Sequence, residues 1–475
     1  LKNPDKLLPK VAGEISLFAA LLFVRLYRLA DIPLHDFDAV RNYQIAKEIA
    51  AGNFAHVNTH GSPIFHLLNG MLFYFSGEAF VLLATGAILN VAAVFVFAKC
   101  AGYFLKEILP EKNHELASAL FVLVCGFSPL LVYLSRCITN ENLNFFLYSL
   151  LFYAYLTRQE DRLKAVLICA CFAVNYKILL VLPFLEAAFF DDFQNSFRRA
   201  VRVFFTFLLF VLVFSVFSYA VGIGAENYLK NVAGIFLNKT RAAHSPILNT
   251  DFWFYLRYGA EIDFFIPLLM LFAVSLFAAK MSRWSASFFF FLLMLHFLPK
   301  APRALLYFLP VLVLVAIGVF AEFFKKKQKY KPILLSLFLI FAFLPLPFRL
   351  YACIYAHAQR ENFSNVEHIL TEKNIEKIFS LNSLQAAPYL SKELIRVREG
   401  HQFGKGDVVF FDHYHKALNE FKNFDFNEFE VLYTGEQRLY LSPFLYYEHA
   451  EYSGLRFAEI QIEESYAKWY LLQKK

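Results

Sequence analysis

The chain has 475 residues, of which 58% are hydrophobic, 19% aromatic and only 18% charged, and its mean hydropathy is +0.46. A soluble chain carries roughly a quarter charged residues, so this composition excludes a string of water-soluble domains, a disordered chain and a coiled coil, and it places most of the residues in lipid. The formal net charge of +7 does not mark a nucleic-acid binder, because basic residues in a multi-span protein collect on the cytoplasmic side and orient it. Six Cys lie in or beside apolar runs, with none after residue 353, which implies neither a disulfide framework nor a CxxC metal site.

Taken in chain order, Lys2, Lys6 and Lys10 start inside, so the first span (11 to 30) exits and residues 31 to 62 form an external loop. No A-x-A-like cleavage site follows that span, which reads as a retained signal anchor. The run 63 to 77 is too short to cross and reads as a re-entrant or surface-lying helix. The span at 80 to 100 then returns to Lys99, Lys106 and Lys112. Residues 115 to 134 exit, 135 to 141 are external, and 142 to 157 return to Arg158, Arg162 and Lys164. The long run 164 to 190 splits at Asn175-Tyr176-Lys177 into two short helices, which places Arg198, Arg199 and Arg202 inside. Span 200 to 221 exits, 222 to 258 is a second external loop, and 261 to 279 returns to Lys280 and Arg283. Finally 284 to 298 exits, 303 to 324 returns to KKKQKYK (325 to 331), and 332 to 353 exits. The fold class is therefore an all-α multi-span membrane domain, residues 1 to 355, with about eleven crossings plus external juxtamembrane helices, in the plasma (inner) membrane.

From about residue 356 the composition turns polar, with 14 Lys plus Arg against 18 Asp plus Glu. Strand-like runs at 375 to 381, 394 to 397, 408 to 411, 429 to 433 and 458 to 462 alternate with helix-like runs at 365 to 373 and 415 to 421. Residues 356 to 475 read as a small α/β soluble domain on the non-cytoplasmic, periplasmic side. His413 and His415 flank Tyr414 after a strand and read as a surface turn.

Ionisable residues at a membrane are functional candidates, since each costs roughly 2.5 to 3.5 kcal/mol at mid-bilayer on the insertion scale. The external face collects Asp36, Asp38, Glu141, Lys177, Lys300 and Arg303. Asp38 opens an amphipathic helix (Val40, Ile45 and Ile49 against Arg41, Lys47 and Glu48) that ends at Gly52. There it is either an N-cap or an ionised carboxylate within reach of an acceptor hydroxyl. A carboxylate base, two fixed cations and a lipid-facing cleft suit transfer from a phosphate-linked lipid, whose leaving group needs cations more than a general acid. Lys177, which interrupts an apolar run, and Arg303, otherwise an interfacial snorkelling residue, suit the phosphate. Glu141, with Asp36 in the first loop, is a candidate for orienting the acceptor or binding a divalent cation (Mg or Mn), and Glu141 is also within reach of pairing with Arg136. His35, His56, His60 and His66 share the first loop region, but their spacing matches no strong zinc motif.

These residues resemble the GT-C membrane glycosyltransferases that use polyprenyl-phosphate or dolichyl-phosphate sugars, closest to the bacterial relatives of protein O-mannosyltransferases and of the lipid A aminoarabinose transferase. DAVRNYQIAKEIAAG resembles the family's pattern after the first span, keeping Asp38, Ala46, Ile49 and Gly52, with Ala39 in place of a Glu. HGSPIFHLL keeps Pro63 of a Lys-Pro-Pro-Leu segment without its Lys. SRCITNENL resembles the short acidic external loop (Glu141), VNYKILLVLP the Thr-Lys-Gly segment (Lys177), and LPKAPRALLYFLP the Arg-Tyr-x-x-x-x-Pro segment (Arg303). The resemblance covers residues 15 to 320 in the family's order. It implies an inverting glycosyltransferase with Asp38 as catalytic base at the external surface, a donor lipid entering laterally between spans, and a glycan, lipid or protein acceptor. Two alternatives stand beside it: a lipid-linked sugar transporter or flippase, and a non-catalytic GT-C-fold subunit, the latter made conceivable by Ala39.

Overall fold

The computed structural model describes residues 4–31, 34, 37–106, 114–190, 192–238, 302–326, 346–355, 360–380, 390–397, 400–412, 424–436 and 468–475, with a few isolated positions between 253 and 344. The helices are α1 (Pro4–Leu26), α2 (Phe37–Ala50), α3 (Pro63–Ser76), α4 (Ala79–Phe104), α5 (His114–Gly126), α6 (Pro129–Ser135), α7 (Asn140–Leu156), α8 (Asp161–Val174), α9 (Ile178–Ala188), α10 (Phe193–Ala220), α11 (Asn227–Asn238), α12 (Leu305–Lys326), α13 (Leu346–Tyr355) and α14 (Arg360–Glu372). Among the described residues, Ala79–Phe104, Phe193–Ala220 and Leu305–Glu322 are each long and apolar enough to cross a membrane. The α5 and α6 pair, bent by 63°, makes a fourth if it is counted as one span.

Over the expected span at 115 to 134 the chain forms two helices, α5 and α6, at 63° to one another. Pro129 has no N–H to continue the α5 ladder, and the Ser128 side chain accepts from the Leu131 N–H, so the chain starts a new helix there. The split of the 164 to 190 run is as expected: α8 stops at Val174 and α9 starts at Ile178. The short helix over 63 to 77 is α3, closed by Gly77 in the left-handed conformation (φ +69°). Of the last expected span, 332 to 353, the described part is α13 and a few positions before it. Apart from Asp263 and residues 284 to 287, the expected spans at 261 to 279 and 284 to 298 lie outside the described residues, as do the basic stretch 327 to 331, Lys300 and most of the loop beyond residue 238.

α1 and α4 to α13 share one apolar core, in which the α12 side chains from Leu305 to Ala316 are buried, while α2 and α3 pack in a second cluster with the start of α4 and α7. Phe97 of α4 meets Phe121, Phe145, Tyr148 and Phe152 at ring-centroid separations of 5.3 to 6.3 Å, tying α4 to α5 and α7. Polar side chains lock the end of α1. Arg25 donates to Asn90 Oδ1 (3.1 Å) and to the Gly126 carbonyl (2.8 Å). Arg136 donates to the carbonyls of Arg25 (2.8 Å) and Tyr27 (2.9 Å), groups that a helix end leaves without partners. Arg136 is therefore committed to α1, not to Glu141. Gly70 lets α2 and α3 approach closely, because a Cβ there would lie 2.3 Å from Ile49 Cγ2.

The α7–α8 hairpin separates two polar clusters. Where α7 ends and α8 begins, Lys164, Arg199 and Arg202 converge on Asp161 at 3.3 to 3.5 Å, and Arg199 also reaches Glu186 at 3.2 Å. Two basic clusters placed on one side by the sequence are thus joined through a shared carboxylate. The other end of the hairpin carries Glu141 and Lys177.

In the tail, β1 (Lys377–Ser380), β2 (Glu393–Arg396), β3 (Val408–Asp412), β4 (Phe429–Glu436) and β5 (Lys468–Lys474) form one sheet in the order β2-β1-β3-β5-β4. β1 pairs in parallel with β2 and β3, while β5 runs antiparallel between β3 and β4. Four of the strands and α14 match sequence expectation. β5 does not: Trp469 and Leu471 fill one face and Leu472 the other, so the two-residue alternation that betrays a strand is erased. Opposite Trp469 stands Gly435, where a Cβ would fall 2.0 Å from the indole. The strand-like run at 458 to 462, the helix-like run at 415 to 421, His413 and His415 lie outside the described residues.

Candidate active site

Each acidic or basic side chain in the site is set by a local interruption of helix. Asp38 lies in the first turn of α2, one residue inside the helix instead of at its N-cap, where the helix dipole still favours a negative charge. Thr139 caps α7, and its hydroxyl donates to Glu141 in the first turn. Asn175 ends α8 in an extended conformation, and its Oδ1 accepts from the Lys177 N–H at 3.0 Å, turning the chain so that Lys177 stands between α8 and α9. Arg303 lies in the 3-10 turn Pro302–Ala304 that leads into α12.

Tertiary packing brings the four together. Arg303 Nη1 is 2.7 Å from Asp38 Oδ2, across 265 positions of chain, and 3.9 Å from Glu141 Oε2. Lys177 Nζ is 2.8 Å from Glu141 Oε1. Arg41, one turn beyond Asp38 on α2, approaches Asp38 Oδ1 at 3.0 Å. Among the described residues the result is one continuous row, Arg41, Asp38, Arg303, Glu141, Lys177, with three cations against two carboxylates. Glu141 is 1% exposed and Arg303 7%. A surplus positive charge beside a buried carboxylate is suited to receiving an anion, because ionic contacts are strengthened where water is excluded.

Burial opposes ionisation of the Asp38 carboxyl, but the Arg303 guanidinium, then Arg41 and the His60 ring, outweigh it and hold the group well below the usual carboxylate range. Asp38 is therefore ionised throughout the physiological range, and in this resting arrangement it is a restrained base.

Asparagines frame the row. Asn140 donates to Ser62 Oγ (2.9 Å) and the Val174 carbonyl (3.1 Å) and accepts from Asn175 (3.0 Å), while Asn144 donates to the Tyr307 hydroxyl (2.7 Å). Pattern reading places Arg41 on the polar face of an amphipathic helix and passes over Asn140 and Asn144. The available signals were the i, i+3 spacing of Arg41 from Asp38 and three Asn, at 140, 142 and 144, opening an otherwise apolar helix.

A metal fits this donor set poorly. Among the described residues no three His, Cys, Asp or Glu converge, and both Glu141 oxygens face Lys177, Arg303 or Thr139. His56 pairs with Glu48 (2.7 Å) and His66 with the Val57 carbonyl (2.8 Å), while Asp36 and His35 lie outside the described residues. Ala39 is 1% exposed and packed in an apolar cluster with Leu29, Val40 and Tyr43, so its small side chain leaves no gap in the charged row.

No family model and no curated protein matches the sequence. Among solved structures, the chain is similar to ArnT from Cupriavidus metallidurans in the apo state, with a TM-score of 0.59 and 11% identity over 97% of this chain and 98% of that one. This chain has the ArnT fold. The crystal structure of the same ArnT bound to undecaprenyl phosphate gives a TM-score of 0.55 at the same identity and coverage. The likeness expected from short motifs is thus met at the level of the ArnT fold alone. Within the ArnT fold, 11% identity leaves the site to be read from this chain's own residues.

Proposed function

We propose that the protein is an integral membrane glycosyltransferase that moves one sugar from a polyprenyl-phosphate carrier to an acceptor hydroxyl at the non-cytoplasmic face, with inversion. The carrying observation is the convergence of Asp38, Glu141, Lys177 and Arg303 into one ion-paired row. That an ArnT of the same fold was crystallised with undecaprenyl phosphate supports a polyprenyl-linked donor.

In this mechanism Asp38 takes the proton of the acceptor hydroxyl as its oxygen bonds to C1 of the sugar. The bond from C1 to the phosphate oxygen breaks on the opposite face, and polyprenyl phosphate leaves with the electron pair. Lys177 and Arg303 hold that phosphate. The resting Arg303–Asp38 pair imposes an order. A bound donor phosphate competes for Arg303, and a carboxylate relieved of one guanidinium becomes a stronger base. Glu141 holds the two cations in place and is not a metal ligand in this scheme. The tail, residues 356 to 475, lies on the same non-cytoplasmic side.

Replacing Asp38→Asn is expected to lower transfer from a radiolabelled polyprenyl-phosphate sugar by about 10²- to 10⁴-fold, the range for loss of a general base, with folding and membrane insertion retained. Full activity in this variant overturns the assignment.

A further inference from the structure

Glu141 meets the charge of Lys177 at 2.8 Å and that of Arg303 at 3.9 Å. One turn further along α7, on the same face, Asn144 reaches the chain beside each of these cations. Its Nδ2 donates to the Asn175 carbonyl at 3.2 Å and to the Tyr307 hydroxyl at 2.7 Å. The Asn175 carbonyl also accepts from the Ile178 N–H (3.3 Å), and Asn175 Oδ1 accepts from the Lys177 N–H (3.0 Å), so Asn175 closes the turn on which Lys177 stands. Tyr307 lies four residues after Arg303, in the first turn of α12, and its ring packs on Tyr148 of α7 with centroids 5.7 Å apart. Asn144 is fully buried, and its Oδ1 finds no donor among the described residues, so the amide serves as a double donor.

We propose that Asn144 is a positioning residue that sets the spacing between Lys177 and Arg303. This role rests on the reading of those two residues as the cations that hold the donor phosphate. An arriving phosphate competes with Glu141 for both charges, whereas the two neutral hydrogen bonds of Asn144 are buried from water and from the anion, and stay closed. Asn144 thereby holds the ammonium and the guanidinium at a fixed separation while their carboxylate partner is being exchanged. The separation matters most as the bond from C1 to the phosphate oxygen breaks. The leaving oxygen then gains negative charge, and cations already in place stabilise it without rearranging.

The test pairs a rate with a measurement that needs no turnover, both on the purified full chain. Asn144→Leu is expected to lower kcat for sugar transfer, taken per folded protein, by about 10- to 100-fold, the cost of misplacing groups that are still present. The donor KM should stay within about twofold, because both charges remain. Acetylation of Lys177 by a water-soluble succinimidyl ester, read by mass spectrometry of its peptide, should be about fivefold faster in Asn144→Leu, the margin of one ordinary hydrogen bond. Tyr307→Phe removes the α12 arm alone. Its kcat should fall while Lys177 acetylation stays as in the unsubstituted protein, and adding it to Asn144→Leu should cost little more, since both act through one bond. A purely structural loss would instead lower the folded fraction and multiply across the two variants. If Asn144→Leu does not fold, the kcat of Tyr307→Phe decides. Full kcat in either variant overturns the proposal, as do unchanged Lys177 acetylation in Asn144→Leu and a double variant that loses the product of the two single effects. Farnesyl phosphate is expected to slow Lys177 acetylation in the unsubstituted protein. If it does not, the phosphate role of Lys177 falls, and the acetylation ratio between Asn144→Leu and the unsubstituted protein still decides whether Asn144 positions Lys177.

Discussion

Replacing Lys177→Met separates what the charged row does for the fold from what it does for the reaction. In the unsubstituted protein Glu141 is 1% exposed and meets Lys177 at 2.8 Å, with Arg303 farther away at 3.9 Å. Removing one partner of a buried pair costs about 3 to 5 kcal/mol, mostly because the other charge is left uncompensated. Here Arg303 and the Thr139 hydroxyl remain, and the Lys177 side chain is 16% exposed, so the lower end, about 3 kcal/mol, is expected. Adding Glu141→Gln removes the stranded charge and should return most of that loss. Sugar transfer should stay depressed in the double variant, because the ammonium proposed to hold the donor phosphate is still missing. The measurement is denaturant unfolding in detergent for the two single variants and the double, alongside a transfer assay. A Lys177→Met variant within about 0.5 kcal/mol of the unsubstituted protein would refute the buried-pair reasoning, since additivity errors are of that size. A double variant no more stable than Lys177→Met would do the same.

Three other outcomes follow from the same geometry. Because Arg41 helps hold Asp38 ionised, Arg41→Met should raise the Asp38 pKa and move the acidic limb of kcat/KM to higher pH; a limb that stays put or moves down contradicts the assignment. The sign for stability is the same: a depressed carboxyl stabilises the fold above its unfolded value of about 3.9, and that stabilisation disappears as pH falls through the folded value. Gly70→Val should destabilise by about 1 to 3 kcal/mol, because its Cβ would press on Ile49 at 2.3 Å. Ile49→Ala in the same chain should recover part of the loss, and unfolding of the pair of variants checks it. All six native Cys are buried and free, so an impermeant maleimide should report added thiols alone. Lys230→Cys in α11 is expected to react in intact cells and Gln159→Cys only after permeabilisation; the reverse pattern would invert the orientation.

Much of the local architecture was legible because hydrophobic periodicity and chain-breaking residues act over a few positions. Asn175 and Lys177 cannot be accommodated in mid-run, so the break between α8 and α9 could be placed by inspection. Pro129 was just as visible, yet its effect was not. Whether a proline bends a span or merely opens a new helix depends on the Ser128 cap and on what packs around it. In the tail, β5 was hidden because both of its faces are covered, which only the completed sheet shows.

For the site, sequence by itself determined the ingredients. Asp38, Glu141, Lys177 and Arg303 were conspicuous because an ionisable side chain next to lipid costs energy that composition alone cannot recover. Tertiary structure decided how they are paired. Arg136 was the acidic residue's nearer candidate in sequence, but α1 claims it through its terminal carbonyls, leaving Glu141 to Lys177. Arg303 reaches Asp38 across most of the membrane region, and Arg41 joins them because the first turn of α2 faces the same point. Ion pairing depends on distances of a few ångströms between segments far apart in the chain, and that information resides in the packing of helices and not in the order of residues.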